Sequence, residues 1–147
     1  IFSLSADDLD PRLPPTLAFA GNDHPILALG DRARLAAMAY DFDALLALMQ
    51  SENLTTVTLA HIEDAATFVT RNAFAIGGVL EDPATGAAAA ALGGALVDLD
   101  WPGLRGGGTF AIRQGEDMGQ PSHLAVTVSG TPGDPVRVGG KAHLITN

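Results

Sequence analysis

A short polar segment before an alanine-rich run has the pattern of a helix start, and the start of a helix is the part that can bind a small anion. Asp82 and Thr85 flank Pro83, and Gly86 opens a run made almost entirely of alanine, glycine and leucine. Asp82 suits a helix N-cap and Pro83 the first helical position, because the missing N–H of proline costs nothing there. The first turn of a helix has unpaired N–H groups at the positive end of its dipole, so it is predicted to bind a carboxylate if it faces a cleft. The alternative is that Asp82 and Thr85 only cap a helix end that a loop seals.

The charged residues near this segment suggest different roles. A helix N-terminus stabilises the anion of Asp82, which suits holding an ammonium or hydroxyl group more than acting as a strong base. We therefore predict that Asp82 positions a substrate. Glu81 is interpreted as a capping or loop residue, with a catalytic role as the alternative. Arg71 is expected to pair with a nearby carboxylate.

Several other chemistries lack the residues that they need. The chain contains no cysteine, which excludes a disulfide framework, a thiolate nucleophile, a zinc ribbon and an iron–sulfur cluster. The four histidines have no ligand spacing on a helix, so no metal site is predicted. His61, His123 and His143 fall on alternating strand patterns, whereas His24 lies in a predicted turn beside Asn22.

Composition limits the class of protein. The chain has 147 residues and 17 acidic against 8 basic side chains, a formal net charge of −9. Lys141 is the only lysine and no basic stripe exists, so nucleic-acid binding is not expected. The longest nearly apolar run, Ala84 to Val97, is too short and too rich in glycine to span a bilayer, and no signal-peptide pattern is present. We expect a cytoplasmic protein that forms a single domain over residues 1–147.

Helical periodicity appears before the central run. Asp31 is a predicted N-cap for a helix that carries Leu35 and Met38 on one face. The clearest amphipathic helix has apolar residues at positions i, i+3, i+4 and i+7, namely Phe42, Leu45, Leu46 and Met49.

Alternating patterns predict the strands. A first strand at Leu17 to Ala20 is expected to continue at Ile26 to Leu29 after an interruption. Val57–Leu59 and Thr67–Arg71 are predicted to pair, although residues 65–67 are equally suited to begin a helical turn. Further strands are predicted near residues 109–113, 123–128 and 136–144, the last two as a hairpin. Residues 105–108 read as a glycine-rich connection.

The central helix is unusual because it has no polar face before Asp98. A helix of this kind is predicted to be buried all round, with a sheet curled tightly around its small side chains. Gly93 and Gly94 each cost about 1 kcal/mol of helix propensity, which indicates close packing at these two positions. Strands before and after one buried helix predict an α+β fold with a curved mixed sheet.

Four segments together resemble a known family. They are GNDH at 21–24, GGVLEDPATG at 77–86 preceded by Arg71, QGEDMGQPS at 114–122 and VRVGGKA at 136–142. The last three closely resemble the PhzF-like phenazine-biosynthesis isomerase family, and the first is similar to a segment of the related diaminopimelate epimerases. The motifs occur in the family's order and span nearly the whole chain.

The resemblance implies a diaminopimelate-epimerase-like fold, in which two similar domains each wrap a curved mixed sheet around a central helix. The active site of such proteins lies between the two helix N-termini. Members characterised for phenazine synthesis isomerise a dihydro-hydroxyanthranilic acid by moving a proton, without a metal or an organic cofactor. The substrate-binding residues implied here are Asp82, Pro83, Ala84, Thr85, Gly86 and Asn22.

Two positions depart from the family pattern. Ala87 stands where the family helix usually has serine, so one hydrogen bond is missing. Gln120 stands where the later motif usually has arginine, which removes a cation that could hold an acidic group or brace a loop.

The chain resembles only the C-terminal half of such a protein. The family's acid/base glutamate and its glycine–histidine motif belong to the N-terminal half, and no catalytic residue is assigned here. The predicted function is the C-terminal domain of an isomerase that transfers a proton on a small carboxylic acid, with the acid/base supplied by an N-terminal half in the same or another chain. The alternative is a non-catalytic module that binds small acids or serves in assembly and pairs with a second copy as a homodimer.

Overall fold

A computed structural model describes residues 1–142, which form eight strands, three α-helices and three short 3-10 helices at Ala6–Asp8, Ala75–Gly77 and Glu116–Met118. The strands are β1 (Thr16–Phe19), β2 (Asp23–Leu29), β3 (Val57–Asp64), β4 (Thr67–Ala73), β5 (Glu81–Asp82), β6 (Gly108–Gln114), β7 (Ser122–Val128) and β8 (Arg137–Gly140). The helices are α1 (Arg32–Ala36), α2 (Phe42–Glu52) and α3 (Gly86–Asp98). The end of the strand predicted at 136–144, together with His143, lies outside the described residues.

One mixed sheet contains all of these strands, in the order β1-β2-β3-β4-β6-β7-β8 with β5 paired to β4. The pairs β2–β3 and β4–β6 are parallel, so each needs a crossover: α1 and α2 supply the first, and α3 supplies the second. The expectation that β2 continues β1 is wrong, because the two strands pair antiparallel across a turn at Gly21. Gly21 has φ of 83°, a left-handed conformation that glycine adopts without a steric penalty.

The sheet curves around α3. β1 and β8 lie at opposite ends of the strand order, yet α3 contacts both of them, along with β2 and β7. A flat sheet does not bring both of its ends to one helix. The structure therefore confirms the predicted α+β fold with a curved mixed sheet around a central small-residue helix.

The outer face of the sheet is covered by α1 and α2. Leu35 of α1 and Leu45 and Met49 of α2 are fully buried against Val57 and Leu59 of β3. The predicted Asp31 cap of α1 is confirmed, since its side chain accepts the Ala33 N–H, and at the start of α2 the Asp41 side chain accepts the Ala44 N–H. Within residues 1–142, no helix reaches the length and apolarity needed to cross a membrane.

The inner face packs on α3, but it does not enclose the helix. Residues Ala87, Ala90, Gly94 and Asp98 retain solvent exposure along one stripe. Ala90, Gly94 and Asp98 of this stripe lie on the floor of a groove of about 700 Å³, with β1 on one side and residues 133–136 on the other. The prediction of burial all round is thus wrong for this stripe, because β1 and β8 approach the helix from opposite ends without pairing with each other.

The two adjacent glycines of α3 lie in different surroundings. A Cβ atom at Gly93 would lie 3.0 Å from Val136 Cγ1 and 3.1 Å from Val126 Cγ1, which confirms close packing there. A Cβ atom at Gly94 would have no neighbour within 4 Å. Close packing was therefore predicted correctly for Gly93 and wrongly for Gly94, which faces the groove.

Candidate functional site

The inner face of the sheet becomes polar at the end where α3 begins. Thr58 of β3 donates a hydrogen bond to Asn72 Oδ1 of β4 at 2.5 Å. His24 Nδ1 of β2 lies 2.8 Å from Thr56 Oγ1, and Gln114 occupies the matching end of β6. All five side chains are buried. A layer of buried polar groups therefore borders the start of α3, and Gln114 connects this layer to the helix.

Asp82 and Thr85 form a turn that leads into α3. Asp82 lies opposite Asn72 in the pairing of β5 with β4, and Thr85 Oγ1 donates to Asp82 Oδ2 at 2.5 Å. Thr85 is the N-cap residue and α3 begins at Gly86. The prediction that Asp82 caps the helix and Pro83 begins it is wrong, because strand pairing holds Asp82 extended.

Gln114 binds this turn at three points. Its Oε1 accepts the Thr85 N–H at 3.3 Å, and its Nε2 donates to Asp82 O at 2.6 Å and to Thr85 Oγ1 at 3.1 Å. The next residue, Gly115, approaches so closely that a Cβ atom there would lie 3.0 Å from Pro83 O and 2.2 Å from Gln120 O. Residues 114 and 115 therefore fix the backbone that carries the Asp82 carboxylate.

The N–H groups at the start of α3 are free of protein acceptors among the described residues. Thr85 makes no side-chain cap bond, and the first backbone bond runs from the Ala89 N–H to Thr85 O. This leaves the N–H groups of Gly86, Ala87 and Ala88, and the first two of these residues are exposed. Free N–H groups at the positive end of a helix dipole are suited to bind a carboxylate.

Glu81, next to Asp82, is committed to a buried ion pair. Arg71 Nη2 lies 2.6 Å from Glu81 Oε2, and Arg71 Nε donates to both carboxylate oxygens at 3.1 Å. Arg71 Nη1 also donates to the backbone oxygen of Ala36, the last residue of α1, at 2.7 Å. The hydrogen bonds that Arg71 donates to Glu81 raise the pKa of Arg71. The predicted pairing of Arg71 with a carboxylate is confirmed, and this pairing ties Glu81 to the framework.

A cavity of about 980 Å³ opens beside Asp82. Met38, Tyr40 and Phe74 contribute apolar wall, and Gln120 lines the same space. Tyr40 Oη donates to Leu80 O at 2.6 Å, and burial, followed by the nearby Glu81, raises the pKa of Tyr40. Among the described residues that line the cavity, Asp82 is the carboxylate that is not part of an ion pair.

The structure gathers most of the predicted site residues. Asp82, Pro83, Ala84, Thr85 and Gly86 form the single turn before and at the start of α3. Asn22 lies elsewhere, in the exposed turn between β1 and β2, and does not line the cavity beside Asp82.

The histidines differ in burial. His24 lies fully buried in β2 and not in a turn as predicted, because β2 begins at Asp23 and extends the sheet by pairing with β1. His61 is half-buried with Nδ1 3.1 Å from Leu29 O, and His123 is exposed on β7. Within residues 1–142, no three His, Asp or Glu side chains are arranged to hold a metal ion.

Gln114 is the main site residue that sequence reasoning missed. It appeared only as the first letter of a motif, and its contacts with Asp82 lie 32 positions away along the chain. The available signal was a glutamine at an inward position of a strand, followed by a glycine. An inward-facing amide in a core strand needs polar partners, because burial without them is unfavourable.

Solved structures of other proteins share this fold. A PhzF-family phenazine biosynthesis protein of Bacillus anthracis aligns with a TM-score of 0.74 and 17% identity, over 93% of this chain and 48% of that one. A Pseudomonas aeruginosa protein described as a predicted epimerase aligns with a TM-score of 0.66 and 26% identity, over 99% and 50% of the two chains. The chain therefore spans about half the length of these relatives.

Sequence comparison agrees with the structural one. An uncharacterised isomerase of Mesorhizobium japonicum is 47% identical over 64 residues, which are 42% of this chain and 21% of that protein. The family model described as phenazine biosynthesis-like protein matches residues 1–147, the whole of the chain. The chain therefore belongs to the PhzC–PhzF family of phenazine biosynthesis-like proteins.

Proposed function

We propose that this chain is the substrate-positioning half of an isomerase that moves a proton on a small carboxylic acid. The observation that carries the proposal is the start of α3, where the N–H groups of two exposed residues, Gly86 and Ala87, have no protein acceptors among the described residues. They follow closely in sequence after Asp82, which lines an open cavity. Family membership and the isomerase or epimerase descriptions of two relatives support the reaction class.

In this mechanism the substrate carboxylate binds the N–H groups of Gly86 and Ala87. These donors, together with the helix dipole, also stabilise the negative charge that develops on the acid as a proton leaves carbon. Asp82 accepts a hydrogen bond from a hydroxyl or ammonium group of the substrate and so orients it. Glu81 is held by Arg71, so the base that removes the proton comes from the second half of the protein.

Binding is tested by titrating the chain with benzoate and, separately, with benzamide, its neutral isostere. We expect benzoate to shift the NMR signals of the Gly86 and Ala87 amides and benzamide to leave them in place, because the site selects negative charge. Equal binding of the two compounds, or shifts confined to other residues, would rule out the site.

The role of Asp82 is tested with mandelate and phenylacetate, which differ by one hydroxyl group. Asp82→Ala is expected to weaken the binding of mandelate by about tenfold relative to phenylacetate, the usual effect of losing a hydrogen bond to a charged group. An equal change for both acids contradicts the proposed contact.

Proton transfer is tested with the protein encoded by the complete reading frame that contains this chain. A pool of small carboxylic acids is incubated with it in heavy water and analysed by mass spectrometry. An isomerase is expected to place deuterium on carbon in at least one acid, and the Asp82→Ala variant should do so more slowly. If acids bind but none gains deuterium, the chain is part of a binding module and the proposed reaction is wrong.

A further inference from the structure

Thr85 is the N-cap residue of α3, yet its hydroxyl does not cap the helix. Threonine at this position normally accepts a hydrogen bond from the second or third N–H of the helix, which here belong to Ala87 and Ala88. Instead, Thr85 Oγ1 donates its proton to Asp82 Oδ2 and accepts from Gln114 Nε2 at 3.1 Å.

Gln114 holds the hydroxyl in this arrangement from a rigid position. Gln114 is 1% exposed at the end of β6, and both polar atoms of its side-chain amide are hydrogen-bonded: Nε2 donates to Asp82 O and Oε1 accepts the Thr85 N–H. A hydroxyl has one proton and two acceptor sites. With the proton given to Asp82 and one acceptor site occupied by Gln114, rotation toward Ala87 breaks two hydrogen bonds.

We propose that Gln114 is a positioning residue that keeps the start of α3 uncapped. By retaining the Thr85 hydroxyl on the Asp82 side, it leaves the Ala87 N–H group, one of the two donors proposed for the carboxylate of a ligand, without an intramolecular acceptor, and it keeps Asp82 in place. The consequence for binding rests on the proposed function, whereas the uncapped state of α3 does not. Without Gln114, the Thr85 hydroxyl closes the anion site from within.

The first test is amide hydrogen exchange of the chain, measured by NMR. In Gln114→Met, a side chain of similar size without hydrogen-bonding groups, we expect Ala87 or Ala88 exchange to slow by about tenfold or more as the hydroxyl becomes a cap. Adding Thr85→Val to this variant removes the hydroxyl, so exchange should return to the native rate. Native exchange in Gln114→Met, or slow exchange that persists in the double variant, overturns the proposal.

Thr85→Val alone provides a test that does not disturb Gln114. If the hydroxyl does not cap α3, its removal leaves exchange at Ala87 and Ala88 unchanged. Faster exchange at either residue shows that Thr85 capped the helix all along, and the proposal fails. This variant decides the matter even if Gln114→Met does not fold.

Benzoate binding then connects the capping state to the ligand. Gln114→Met is expected to bind benzoate about tenfold more weakly than the native chain, and the double variant is expected to recover affinity. A purely structural role of Gln114 predicts no recovery, because the second substitution removes further hydrogen bonds. If the native chain shows the expected exchange pattern but binds no benzoate, the proposed function fails while the role of Gln114 stands.

Discussion

At the scale of single residues, burial determines which charged side chains stabilise the chain. The Arg71 and Glu81 side chains are 11% and 5% exposed, whereas those of Arg105 and Asp100 are 71% and 66% exposed. Both pairs have short N–O distances, of 2.6 and 2.8 Å. Water screens the second pair, while the first pair lies where an unpaired carboxylate is unfavourable.

The same substitution at the two arginines therefore has unequal effects. Arg71→Gln leaves Glu81 as an uncompensated buried charge and is expected to lower the free energy of unfolding by about 3 kcal/mol. Arg105→Gln is expected to change it by less than about 1 kcal/mol. Urea denaturation of both variants measures the difference, and similar values would contradict the importance assigned to the buried pair.

His24 makes stability depend on pH. Burial lowers its pKa from the usual value of about 6.5, with Asp23 acting in the opposite direction. Below about pH 6.5 the unfolded chain takes up a proton at this position that the folded chain does not, so the free energy of unfolding falls as pH falls, by up to about 1.4 kcal/mol per pH unit. The contribution of this group is fully present above pH 6.5.

The pH effect is measured by urea denaturation between pH 7.5 and 5.5. His24→Gln should reduce the slope of stability against pH over this interval. His123→Gln, at an exposed position of β7, serves as the matched control and should keep the native slope. Equal slopes in the two variants would show that His24 does not titrate differently in the folded state.

At the scale of elements, the sequence predicted those helices and strand pairs that depend on residues close together in the chain. The spacing of Leu45 and Met49 identified α2 because a buried stripe requires it, and the hairpin of β7 and β8 followed from alternation around a turn. The start of α3 was misplaced because Asp82 has good helix-capping chemistry but is held by pairing with Asn72, ten residues earlier. Gln114 was missed for the same reason, since its partners come from a distant part of the chain.

The two adjacent glycines of α3, Gly93 and Gly94, give a prediction for this element. Gly94→Ala is expected to raise the free energy of unfolding by about 0.5–1 kcal/mol, because alanine favours the helix and the added methyl group meets open space. Gly93→Ala gains the same propensity but brings a methyl group to 3.0 Å from Val136, which offsets the gain. Thermal unfolding of both variants tests this. A lower melting temperature for Gly94→Ala would show that the groove has no space for the added methyl group, which contradicts the prediction.

At the scale of the whole described molecule, the sheet has a protected centre and two weak ends. β3 and β4 are paired on both sides and covered on both faces, whereas β1 and β8 are each paired on one side. Cooperative opening starts where few contacts must be broken. The fold class was predictable from composition around α3, but the open groove between β1 and β8 was not, because it depends on how far the sheet curves.

Native-state hydrogen exchange provides the corresponding test. We expect amides of β3 and β4 to be the most protected and to exchange through global unfolding, and amides of β1 and β8 to exchange through local opening with low denaturant dependence. Protection of β1 equal to that of β3 would mean that something covers the edge in solution, such as a second copy of the chain.

The alternation of β5 also limits how this part of the sequence can change in length. Glu81 and Asp82 are neighbours, yet the Glu81 carboxylate binds Arg71 and the Asp82 carboxylate accepts from Thr85 Oγ1, because successive side chains of a strand point to opposite sides. Inserting one residue between positions 81 and 82 reverses the side on which one of the two carboxylates emerges, and a change of length between positions 82 and 85 moves Thr85 away from the Asp82 carboxylate. Length variation is therefore expected before Glu81, in the connection at residues 74–80, and should be absent from the segment that follows.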